Sequence, residues 1–154
     1  AKSKERAKDY QMFGTKFDPI NAYSKVGIGT AVSTASPHQL IVLLFEGARQ
    51  ALIVARAGIE AGDVPKKGAA ITKAIDIILN GLRASLNLEE GGNLAQNLYA
   101  LYDYMARRLL HANLNNDSAA LDEVLNLLSE IHGAWVSIGD EVAAESRASS
   151  TPAA

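Results

Sequence analysis

Helix-breaking chemistry recurs at nearly even intervals from Pro37 onward: Gly62 ahead of Pro65, then Gly91-Gly92, then Asn115-Asn116-Asp117. Glycine supplies the permissive backbone of a turn, proline withholds a backbone donor, and Asn and Asp offer capping side chains. Between these breaks lie four segments of similar length. The first opens on Ser36-Pro37, an N-cap residue followed by proline at the first helical position, and closes near Gly62. The second runs from about Lys66 to Leu88, the third from Asn93 to about Leu114, and the fourth from Ser118 to about Val142.

Side-chain spacing within the segments is helical. Ile71, Ile75, Ile78, Leu82 and Leu86 form one stripe, and Leu94, Leu98, Leu101, Met105 and Leu109 a second. A third steps through Leu121, Leu125, Leu128, Ile131, Trp135, Ile138 and Val142. Short connections make consecutive helices antiparallel neighbours. The chain is therefore expected to be all-α, an antiparallel up-down-up-down four-helix bundle over residues 20–142 with a short N-terminal helix or arm. Residues 1–19 read as a flexible N-terminal tail and 143–154 as a disordered C-terminal one, since their composition buries too little to offset the entropy of ordering.

Apolar surface exceeds what a bundle consumes. Leu40-Ile41-Val42-Leu43-Leu44-Phe45 covers the whole circumference of the first segment, where one stripe would suffice. One cover is the N-terminal segment, whose Ile20, Tyr23 and Val26 recur every three residues ahead of Gly27 and Gly29. Such an arm would lie over part of a groove and move aside for a partner. The alternative is a partner groove, with candidate contacts Ile20, Tyr23, Val26, Leu40, Ile41, Leu44, Phe45 and Ala48. Ile77 and Leu79, which flank the second stripe, extend the set, as do Tyr99, Tyr102 and Arg107 on the third segment. Each tyrosine has a core reading beside the interface one. Gly47, Ala48, Ala51, Ala55 and Gly58 point to close approach of another helix along the first segment.

Several function classes fall away. Fifteen basic residues against 17 acidic leave a charge of -2 with no basic cluster, so nucleic acid is not an expected partner. The longest apolar run is too short for membrane insertion. With no cysteine, no glycine-rich phosphate loop and no Glu-x-x-His pattern, neither an enzyme, a metal site nor a cofactor is expected. His38, His111 and His132 keep a phosphotransfer bundle open as an alternative, although capping or solvent contact explains His38. A generic helical scaffold or anti-regulator that binds another amphipathic helix is the other alternative.

Ordered blocks along the chain resemble the FliS family. These are Asn21-Ala22-Tyr23, Ser36-Pro37-His38-Gln39-Leu40-Ile41 with Leu44-Phe45-Glu46-Gly47-Ala48, Ile71 with Lys73-Ala74, and Gly91-Gly92-Asn93-Leu94-Ala95-Gln96-Asn97-Leu98. Leu101-Tyr102-Asp103-Tyr104-Met105, Arg108-Leu109, Ala112-Asn113, Asn116-Asp117 and Trp135 continue the match. Phe45 stands where tyrosine is usual, and His132-Gly133 replaces a charged residue and alanine. The resemblance implies a cytosolic bacterial chaperone without cofactor. It would bind the C-terminal helical segment of flagellin, prevent premature polymerisation, and deliver the subunit to a gate component of the flagellar type III export apparatus. Whether it forms a homodimer is left open.

Overall fold

The computed structural model describes residues 35–149, with side chains through residue 140. Four rods follow one another: α1 (Pro37–Ala61), α2 (Val64–Asp76), α3 (Gly92–Asn115) and α4 (Ser118–Ser149). Helix α2 runs directly into a π-helical segment, Ile77–Arg83, so the two form one rod. No strand occurs among the described residues. The proposed arm residues Ile20, Tyr23 and Val26 lie outside them.

Local chemistry sets most of the ends. Ser36 and Gln39 form a reciprocal capping box: Gln39 N–H donates to Ser36 Oγ at 3.2 Å, and Ser36 N–H donates to Gln39 Oε1 at 2.9 Å. At the other end Gly62 is left-handed, φ 66°, and the N–H of Asp63 returns to Gly58 O at 2.9 Å. Asp63 then caps α2 by accepting from Lys66 N–H at 3.1 Å. Asn116, also left-handed at φ 50°, closes α3, and Asp117 caps α4 through the N–H of Ala120 at 3.1 Å.

Contacts between rods fix their directions. On α1 and the α2–π rod, Gly58 lies against Lys67 and Leu44 against Gly81. On α2, the π segment and α3, Lys67 reaches Asn113 while Arg83 reaches Asp103. Tyr104 bonds Glu123 and His111 faces Asp117 between α3 and α4. Arg56 pairs with Asp122 and Glu46 faces His132 between α1 and α4. In each set the numbers rise on one rod as they fall on the other, so all four neighbouring pairs are antiparallel. The architecture is the expected four-helix bundle, with α1 flanked by the α2–π rod and α4, and α3 closing the opposite side.

Leu40, Leu44, Phe45, Leu52, Ile71, Ile77, Ile78, Met105, Leu109, Leu121 and Leu128 are completely buried along the bundle axis. Two boundaries differ from the sequence reading. The second rod stops at Arg83, short of Leu88, because Ser85 Oγ donates back to Leu82 O and the Asn87 side chain starts a new turn. The fourth helix runs to Ser149, past Val142: Ala143, Ala144, Glu145, Arg147 and Ala148 are good helix formers, and no breaker intervenes before Pro152.

A candidate binding groove at one end of the bundle

The early stop of the second rod leaves a gap at the end of the bundle where α1 begins. The connection to α3 is held by Asn87, whose Oδ1 accepts from the N–H of Glu89 at 3.2 Å and of Glu90 at 3.0 Å, while Gly91 N–H donates to Asn87 O at 2.9 Å. A side chain at Gly91 would strike Asn87 O and the Ala95 methyl, and Gly92 is left-handed, φ 55°. The two glycines thus turn the chain sharply into α3. Ala95, the first buried position of α3, is small.

Between these pieces lies a groove with a cavity volume of about 280 Å³. Its apolar walls are Ile41 of α1, Leu82 and Leu86, Leu94, Leu98 and Tyr102 of α3, and Trp135 of α4; Ser85, Asn87 and Glu90 supply a polar edge. Leu94 is 70% exposed although it heads the apolar stripe of its segment, and Ile138, one turn beyond Trp135, is 49% exposed. The inward face of α3 is turned slightly from the expected stripe, so Ala95, Tyr102, Met105 and Ala106 take the buried positions and Leu94 faces the groove.

The structure distributes the sequence-derived candidates unevenly. Leu40, Leu44, Phe45, Ala48 and Ile77 are fully buried core. The apolar circumference of α1 is consumed largely by having a rod on either side. Ile77 is core because it continues, three residues after Ala74, the buried face that α2 presents through Ala70, Ile71 and Ala74. Ile41 and Tyr102 are buried and line the groove, Tyr102 with its ring 6.4 Å from that of Phe45. Burial raises the pKa of the Tyr102 phenol. Leu79 is half-buried. Tyr99 is partly exposed with the Arg83 guanidinium 5.0 Å from its ring centre, and Arg107 is an exposed partner of Asp103 at 3.5 Å. The residues that sequence reasoning missed as groove lining are Leu82, Leu86, Leu94, Leu98 and Trp135, which it placed in core stripes, and the polar Ser85, Asn87 and Glu90. The signal for Leu94 was its place just after two glycines, where no helix yet flanks it.

A profile of the flagellar protein FliS matches residues 19–142. The chain belongs to the FliS family. It is 57% identical to the flagellar secretion chaperone FliS of Salmonella typhimurium over 119 residues, covering 77% of this chain and 88% of that protein. To the FliS of Vibrio cholerae it is 41% identical over 122 residues, covering 79% and 89%, and to that of Bacillus subtilis 32% identical over 118 residues, covering 77% and 84%. FliS proteins are chaperones of flagellar secretion and not enzymes, which places this chain in a chaperone family. Among the described residues no cluster of His, Cys, Asp or Glu could hold a metal ion, and no helix is long and apolar enough to cross a membrane.

Proposed function

We propose that the groove receives an amphipathic helical segment from the C-terminal part of flagellin, in the bacterial cytosol, and that the chaperone keeps this segment from polymerising until export. The observation that carries the reading is the exposed Leu94 beside Leu98, Leu86 and Trp135, an apolar surface left uncovered by the chain's own helices among the described residues. A cavity of this size admits a few anchor side chains of a helix, not the whole helix. Burial of each would contribute about 1.5–3 kcal/mol before ordering costs. A segment that folds on binding gives part of that back, which keeps the complex reversible and allows transfer to a component of the export gate.

The histidine alternative has less support. His111 Nε2 lies 3.1 Å from Asp117, His132 contacts Arg49 at 3.4 Å, and His38 packs on Trp135. The test is calorimetry and circular dichroism with a C-terminal flagellin peptide. The expected result is a binding isotherm accompanied by helix gained in the peptide. Binding of an N-terminal flagellin fragment alone, or of neither, would overturn the reading in favour of a scaffold for another helix.

A further inference from the structure

Among the described residues Trp135 is the groove wall that α4 contributes, and it stands where the apolar stripe of that helix runs out of the core, half-buried with Ile138 exposed beyond it. Its ring meets His38, in the first turn of α1: the two ring centres are 5.4 Å apart at an interplanar angle of 41°. The imidazole reaches that position because residue 139, one helical turn after Trp135, is glycine. A methyl group at Gly139 would fall inside 3.0 Å of His38 Nε2, closer than real Cβ contacts occur. The backbone of His38 is in turn fixed by the Ser36–Gln39 capping box around it. Three elements therefore converge on one indole: a rigid helix start, a ring projecting from it, and a gap in the α4 surface that admits the ring.

We propose that His38 is a positioning residue for the groove, using the space at Gly139 to hold the Trp135 indole as its α4 wall. This rests on the reading that the groove binds the flagellin segment. An indole without its neighbour would sample other rotamers, and the bound segment would have to order it again at a cost in affinity. Because the ring pair alone is at stake, the effect is modest: about a two- to tenfold loss.

The chain holds a single tryptophan, so its fluorescence reports this site without labelling. The full-length protein and its variants His38→Ala, His38→Phe, Gly139→Ala and the His38→Ala/Gly139→Ala double would be titrated with the flagellin C-terminal peptide, and acrylamide quenching measured without it. His38→Ala and Gly139→Ala should each increase quenching and weaken the peptide about two- to tenfold. The phenylalanine variant should restore both readouts. In the double variant the Gly139→Ala loss should vanish, since no ring remains to be displaced, and an alanine inside a helix leaves the melting temperature equal or higher. Losses that add in the double variant, or quenching that changes with no change in peptide affinity, would overturn the proposal. Should the parent bind no peptide, the functional reading fails first. Unchanged quenching in Gly139→Ala would then refute the contact separately.

Discussion

Lys67 carries its ammonium group into a site only 6% exposed, where Nζ donates to Asn113 O at 2.9 Å and Asn116 Oδ1 at 2.6 Å. It ties the first turn of α2 to the turn between α3 and α4, at the end of the bundle away from the groove. Lys67→Met keeps the stem but removes two part-buried hydrogen bonds made by a charged donor, so it should destabilise the fold by about 1–3 kcal/mol while leaving peptide affinity unchanged. Urea unfolding and calorimetry check the two parts. In the same region, Asp117 has its pKa lowered, first by the Ala120 N–H and then by His111. A depressed carboxylate contributes stability that is fully present above its unfolded value near 3.8 and is lost as pH falls through the lower folded value. The melting-temperature gap between the parent and Asp117→Ala should therefore be constant near neutral pH and narrow only below about pH 4. A gap that closes already between pH 7 and 5 would contradict this assignment to the Asp117 carboxylate.

Helix against helix, α1 approaches α2 closely at Gly58. A methyl group at Gly58 would lie 2.8 Å from the Lys67 backbone nitrogen, which cannot move aside, whereas one at Gly68 meets nothing within 4 Å. Gly58→Ala should accordingly cost about 1–3 kcal/mol, and Gly68→Ala should gain about 0.5–1 kcal/mol, read as opposite shifts of the urea midpoint. Both ends of α1 could be read from sequence because Ser36, Pro37 and Gly62 act on their own backbone. The end of the second rod could not. It depends on Asn87 turning the next residues and on Gly81 accepting Leu44, 2.8 Å from where its Cβ would stand, a contact between residues 37 apart in sequence. Ile77 is core because the buried face of this rod passes through Ala70, Ala74 and Gly81, small residues that a stripe drawn through large side chains passes over.

For the whole molecule, evenly spaced breaks and apolar stripes were enough to specify an antiparallel four-helix bundle, because each break is local and each stripe needs one neighbour on each side. The groove was not legible in the same way. Its walls come from α1, the end of the π segment, a connection, α3 and α4, and its openness follows from where those elements stop, which periodicity does not encode. Whether this groove grips flagellin is decided by comparing two exposed apolar positions of one fold: Leu94 at 70% and Ile53, on α1 outside the groove lining, at 47%. Each would be changed to glutamate and titrated with the C-terminal flagellin peptide in a calorimeter, with thermal unfolding as the control. Leu94→Glu should weaken binding at least about tenfold with little change in melting temperature, and Ile53→Glu should leave affinity as it is. Equal losses at the two positions, or none at Leu94, would contradict binding in this groove.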